Sequence, residues 1–234
     1  MKCLNHDKHV IVEKSAFSSF KEASEAIDLA NKKKLILMEA FMFLHHYQWL
    51  ELKKLLSSKR CGDIRFVEAS FGFPHLEAKN IRYSKELAGG ALNDAGAYTV
   101  RAVLELLGDE CQLTYSSLVN ENCFDVDTSG LAVFKKGSMK AICRWGMGIS
   151  YKNFLGIWCE LGHIEVNRVF SKPASYESKI DILQNGQIIK QIISGQDNHF
   201  VKLFNNFAEN IFSLSRKPMN EILIQAKLLD EIRT

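Results

Sequence analysis

The first forty residues hold one strand–helix–strand unit, and that unit constrains the fold more than any other feature of the sequence. Lys8-His-Val-Ile-Val-Glu13 is a β-branched run of strand length. A helix follows from about Ser18 or Ser19, with Phe20, Ala23, Ala26, Ile27, Leu29 and Ala30 on its apolar face. Lys34-Leu-Ile-Leu-Met38 is a second apolar strand. Two strands joined by a crossover helix run parallel. Parallel strands are buried on both faces, and one such unit cannot supply both layers. The expectation is a partial α/β sheet whose beginning lies in the middle of a larger domain.

The rest of the chain changes character after Gly62. A helix over about 45–56 leads to Asp63–Phe73, which alternates like a half-buried strand. A loop with Pro74, the pair Gly89-Gly90 and a helix from about Asp94 to Leu107 come next. Strands are expected at 112–119, 129–135, 138–146, 153–160 and 162–169, then a hairpin over 179–193 turning at Asn185-Gly186. Two helices, 199–213 and 219–232, close the chain around Lys217-Pro218. The fold class is therefore an α/β fragment followed by an α+β domain with a large, mostly antiparallel sheet. The boundaries are 1–60 for the α/β remnant, 61–215 for the sheet domain and 216–234 for a terminal helix packing back on the first part.

Composition narrows the partners. A formal net charge of +3 is too small to indicate nucleic acid. The run Lys32 to Lys34 reads as a solvated helix end. No apolar run approaches the roughly 20 residues that span a bilayer. The polar start is not a secretory signal, and no N-x-[ST] acceptor occurs. Cys3, Cys61, Cys111, Cys123, Cys143 and Cys159 are scattered, several inside apolar runs, so a reducing cytoplasm is expected. In the strands, Ile142 and Trp145 point opposite ways, as do Ile157 and Trp158. One sheet face is expected under helices and the other open. An open apolar face points to a homodimer or a dimer of dimers. The other reading is an outer face polar enough to stand alone.

Two places carry chemistry. Glu13 and Lys14 close the first strand, and ligands in open α/β sheets bind beyond the carboxyl ends of strands. Gly89-Gly-Ala-Leu-Asn-Asp94-Ala-Gly-Ala-Tyr98 opens a helix, which sets Asp94 and Tyr98 one turn apart on one face. A lysine, an aspartate and a tyrosine in one cleft can take the proton that a hydroxyl loses as hydride leaves its carbon. Each also has a plainer reading. Lys14 serves as a solvated loop residue, Asp94 as a helix N-cap and Tyr98 as a core residue with its hydroxyl paired.

Taken together these stretches resemble the glucose–fructose oxidoreductase / inositol dehydrogenase (Gfo/Idh/MocA) family. Its K-H-V-x-x-E-K-P strand is matched by Lys8-His-Val-Ile-Val-Glu-Lys-Ser15. Its G-G-G-A-L-x-D-x-G-x-Y helix start is matched by Ala88-Gly-Gly-Ala-Leu-Asn-Asp-Ala-Gly-Ala-Tyr98. Met38–His46 and Asn80-Ile-Arg82 look like the dihydrodiol and xylose dehydrogenase branch. The resemblance implies NAD or NADP as cofactor and a sugar, cyclitol or nucleotide-linked sugar as substrate. It implies Lys14 beside the nicotinamide and the reacting hydroxyl, Tyr98 as proton relay, and Asp94 on substrate hydroxyls or orienting the pair. It puts Glu13 against the nicotinamide ribose and Arg82 in the cleft wall, with Gly89 and Gly90 allowing close backbone approach. His45 is assigned to the substrate side of the cleft, with a structural place at the helix start as its alternative. Members resembling this chain often pair through the open sheet face.

The chain departs from the family pattern in two ways. Ser15 replaces a proline commonly preceded by a cis bond, a geometry other residues disfavour, so a different placement of the Lys14 loop is expected. The family's G-x-G-x-x-G turn and ribose-binding acid, over roughly 60–80 residues, belong upstream of Lys8. Gly146-Met-Gly148-Ile-Ser-Tyr151 is no substitute, because tyrosine fills the third glycine position and the stretch joins two strands. No metal is expected, since His6-x-x-His9 and His45-His46 lack a further ligand at suitable spacing. Three functions follow: an NAD(P)-dependent sugar oxidoreductase, a non-catalytic truncated homologue acting as a binding or assembly module, or a partial product completed by another chain.

Overall fold

A computed structural model describes residues 1–77, 79–121 and 124–234; Cys123 lies outside them. The elements run α1 (Lys2–Asn5), β1 (Val10–Val12), α2 (Phe20–Lys32), β2 (Leu37–Glu39), a 3-10 turn (Met42–His45) and α3 (Tyr47–Ser57). Then come β3 (Ile64–Phe73), two 3-10 turns (Ile81–Tyr83 and Lys85–Leu87), a π-helical turn (Leu92–Gly96) and α4 (Ala97–Leu107). Strands β4 (Gln112–Val119), β5 (Ser129–Lys136), β6 (Met139–Met147), β7 (Lys152–Cys159), β8 (His163–Asn167), β9 (Ser178–Gln184) and β10 (Gln187–Gly195) follow, closed by α5 (His199–Ser213) and α6 (Lys217–Arg233).

β1 and β2 pair in parallel, Val10 against Leu37 and Val12 against Glu39. The crossover helix α2 begins where Ser19 accepts a hydrogen bond from the Glu22 amide. Its alanine-rich face (Ala23, Ala26, Ile27, Ala30) packs with Leu37 and with Met219, Ile222 and Ala226 of α6. The sequence start, read as polar, instead folds into α1, which buries Leu4 in the same cluster. On the other side of the pair, Met38 and Ala40 meet Leu203 of α5.

The second sheet has the order β10-β9-β8-β7-β3-β6-β5-β4, and within it β3 and β6 pair in parallel. Asn185 and Gly186 both have positive φ, as the two-residue turn between β9 and β10 requires. One face carries Val67, Ala69, Ala132, Phe134, Cys143, Leu155, Ile157, Ile164 and Ile180, all under 2% exposed. Val100, Val103 and Leu107 of α4 and Leu228 and Leu229 of α6 belong to that core. The opposite face turns outward: Trp158 is 57% exposed beside a fully buried Ile157. Phe66 and Trp158 meet there edge to face at 6.1 Å, among the ion pairs Glu68–Arg144 and Arg65–Glu160. No described helix is long and apolar enough to cross a membrane.

Candidate active site

Lys14 lies two residues past the end of β1, so the parallel pair decides where its ammonium goes. The Lys14–Ser15 bond is cis although no proline follows. Ser15 Oγ donates to the Asn93 carbonyl at 3.0 Å, and the Ala16 amide donates to Glu39 Oε1 at 2.8 Å. Lys14 Nζ donates to Asp94 Oδ1 at 2.7 Å and to the Asp94 carbonyl at 2.9 Å.

Asp94 sits inside the π-helical turn, not at a helix start. The N-cap reading of Asp94 is therefore corrected: its carboxylate accepts from side chains, Lys14 on one oxygen and Arg82 Nε at 2.6 Å on the other. Asp127 caps the helix instead, accepting from the Leu92 amide at 2.6 Å through its carboxylate and from the Ala91 amide through its carbonyl. That division leaves Asp94 free to pair. Burial works to raise the Asp94 carboxyl, but Lys14 and Arg82 override it and hold it below the usual carboxylate range.

Tyr98, four residues on, stands on the same face and is 6% exposed. Its ring is packed by Phe41, Phe43, Phe71 and Phe170 at centroid distances of 5.5–6.0 Å. The Lys14 ammonium lies 5.0 Å from the ring centroid. The hydroxyl donates to Met42 Sδ at 3.4 Å, a weak acceptor. Burial, reinforced by the Glu13 and Asp94 carboxylates, pushes the phenol well above its usual range, so it stays protonated.

The structure thus brings Lys14, Asp94, Tyr98 and Arg82 together. Glu13 stands exposed beside them at the strand end. His45 is placed elsewhere, lining a separate cavity with Arg101, Glu105 and Glu221, where burial pushes its imidazole down to about 4. His6 and His9 make backbone contacts, with the Lys2 carbonyl and the Ile36 amide. Gly89 and Gly90 do permit close approach, but to the protein itself. A Cβ at Gly89 would meet the Arg82 carbonyl 2.5 Å away, and one at Gly90, where φ is +109°, would strike the Asp127 carboxylate.

Sequence reasoning missed Asp127, Glu39 and Met42. Asp127 lies in a loop without a readable pattern. Glu39 at a strand end offered the same cue as Glu13, a carboxylate at the carboxyl edge of a parallel strand.

Comparison with known proteins bears on the fold and the family. The model of the GFO/IDH/MocA C-terminal domain matches residues 49–165. The dTDP-3,4-didehydro-2,6-dideoxy-alpha-D-glucose 3-reductase of Actinomadura kijaniata is 32% identical over 236 aligned positions, covering 100% of this chain and 71% of that protein. The trans-1,2-dihydrobenzene-1,2-diol dehydrogenase of Xenopus laevis is 30% identical, over 77% of this chain and 56% of that one. A crystal structure of a 3-ketoreductase from Actinomadura kijaniata, in complex with NADP and TDP-benzene, superposes with a TM-score of 0.93 at 32% identity, over 98% of this chain and 71% of that one. The chain spans part of the length of each relative. With its eight-stranded sheet, its parallel pair and this degree of identity, the chain belongs to the GFO/IDH/MocA family of oxidoreductases.

Proposed function

We propose that this chain carries the proton-handling and substrate-binding machinery of an NADP-dependent oxidoreductase acting on a ketone or hydroxyl of a nucleotide-linked sugar. The observation that carries the proposal is the Lys14–Asp94–Arg82 ion triad under which Tyr98 keeps its proton. The relatives that act on a dTDP-linked ketosugar support the nucleotide-sugar class, and the 3-ketoreductase in complex with NADP and TDP-benzene supports NADP.

The donor set fits the nicotinamide end of such a cofactor, which when bound supplies the hydride. A ketone that receives hydride needs a proton on its oxygen. Lys14 Nζ carries one at the mouth of the cluster, and the Tyr98 hydroxyl, held by nothing stronger than a thioether, carries another. Asp94 holds Lys14 in place and balances the two cations. Arg82, with its side chain 37% exposed, is the most open member of the triad and faces solvent where a substrate would enter. Glu13 would face the ribose from the strand end. His45, in its own cavity, has no part in this reading.

The pyrophosphate end fits less well. Gly146–Tyr151 joins β6 to β7, so it presents no helix N-terminus to a phosphate. Calorimetry on the 234 residues is therefore expected to give a dinucleotide affinity weaker than micromolar. The second reading is a binding or assembly module without turnover. NADPH consumption with a keto-sugar nucleotide separates the two: turnover that depends on the nucleotide moiety supports the oxidoreductase, and none with any ketosugar supports the module.

We propose also that the outer sheet face pairs two copies of the chain, supported by the exposed Trp158 and Phe66. Sedimentation is expected to give about twice the chain mass of 26.6 kDa. A soluble, non-associating monomer contradicts it.

A further inference from the structure

The turn that carries Lys14 is held at three successive residues. Lys14 ends on Asp94, and Ser15 Oγ ends on the neighbouring Asn93 carbonyl. Both of those anchors belong to the π-helical turn. The third comes from the opposite side, where the last residue of β2, Glu39, takes the Ala16 amide at 2.8 Å. A backbone N–H to a carboxylate is a charge-assisted hydrogen bond, stronger than its neutral counterpart. With it the turn is clamped between the parallel pair and the α4 approach. Without it the turn is fixed from one side and free to swing.

We infer that Glu39 is the positioning residue for Lys14, fixing through the Ala16 amide the turn that delivers the ammonium to Asp94. The inference rests on the proposed function only for what the positioning serves. Glu39 touches neither the reacting atoms nor the ion triad, and it acts through the backbone of Ala16.

The surroundings of Glu39 make the link responsive to protonation. Its side chain also lines a cavity of about 180 Å³ behind the turn. The charged and titratable groups facing it are Lys14 on the turn, Arg101 and Glu105 on α4, His45 on the 3-10 turn, Lys53 on α3, and Lys217 and Glu221 on α6. Burial pushes the Glu39 carboxyl up to about 7, against the pull of the Ala16 amide, Arg101 and Lys14. A carboxylate accepts the Ala16 hydrogen bond more strongly than a neutral carboxyl does.

Triple-resonance NMR on the 234-residue protein tests this, reading the Ala16 amide and the Lys14 Nζ and Cε resonances across neutral pH. In the wild type the Ala16 amide should move in one step as Glu39 titrates. Glu39→Gln keeps an acceptor oxygen, so Lys14 should stay at its Asp94-paired position while the Ala16 step disappears. Glu39→Ala should lose both. Lys14 remaining paired in Glu39→Ala would overturn the inference, as would an Ala16 amide with no Glu39-dependent step. Should Glu39→Ala fail to fold, the wild type and Glu39→Gln decide alone at Ala16. Turnover of Lys14→Met bears on the proposed function separately, and neither result fixes the other.

Discussion

β1 and β2 contribute three residues each, and no residue of β1 is fully buried, whereas the six inner strands of the large sheet, β3 and β5 to β9, each carry residues under 2% exposed. The small pair borrows its cover from α2, α5 and α6, and it delivers Lys14 and Glu39. The large sheet supplies its own core, and through α4 and the turn before it Asp94 and Tyr98. Stability and chemistry are thus largely separated, Tyr98 being the reactive group that also belongs to the core. The core lies in one region, and the reactive groups lie where the other region touches it.

The separation can be broken by truncating each region. Phe134→Ala, at a fully buried position of β5, should cost about 3–5 kcal/mol in denaturant unfolding. Val10→Ala, on half-buried β1, should cost about 1 kcal/mol or less. Equal costs would show that the small pair is as much a part of the core as the sheet.

Within the site, Tyr98→Phe removes a hydroxyl whose bond is to a sulfur, so stability should hold. Turnover should fall by roughly 10²-fold, the scale of a lost acid–base group. A large drop in melting temperature with little loss of turnover would make Tyr98 a core residue and nothing more.

Lys172 offers a contrast with Lys14. It is 7% exposed, and its ammonium donates to the Val169 carbonyl at 3.0 Å, with no described carboxylate in ion-pair range. Burial pushes it down to about 7, with Asp197 pulling the other way. Because the folded value lies below that of an unfolded lysine, the unfolded chain binds more protons between about pH 7 and 10, and stability should rise across that window. Lys172→Met should flatten the rise and stabilise the protein at neutral pH by on the order of 2 kcal/mol. Destabilisation by this variant would mean the ammonium is well paired.

A last effect, confined to acid pH, concerns His46 and His199, both pushed down to about 4, first by burial. Their folded values lie below the unfolded one, so the stability they allow is complete above about pH 6.5 and is lost as pH falls toward 4. The slope should be about 1 kcal/mol per pH unit for each, and His199→Phe should reduce it. An unchanged slope would place the acid sensitivity elsewhere.

The strand positions over residues 112–193 were legible because alternation and the Asn185-Gly186 turn are local signals, whereas the insertion of β3 between β6 and β7 is a long-range pairing that they do not carry. Lys14, Asp94 and Tyr98 were legible as a group because the glycine-rich helix start and the strand end each follow a readable pattern. The role of Asp94 was not. Whether an aspartate near a helix start caps it depends on whether another residue does so first, and Asp127 arrives from 33 positions away. The placement of His45 was not legible: a four-residue 3-10 turn is too short for periodicity to show that it lines a cavity with Leu44, Arg101 and Glu105. Glu39 offered the cue of a carboxylate at a parallel strand end, but its partner is a backbone amide, which residue identity does not reveal, so the cue led to no role.

The central claim is that Lys14 serves the reaction and not the fold. It is tested most directly by Lys14→Met, measured for both turnover and thermal unfolding in the same preparation. The account predicts turnover reduced by about 10²-fold or more, with the cooperative unfolding transition retained. Turnover close to wild type in a folded Lys14→Met protein would contradict it.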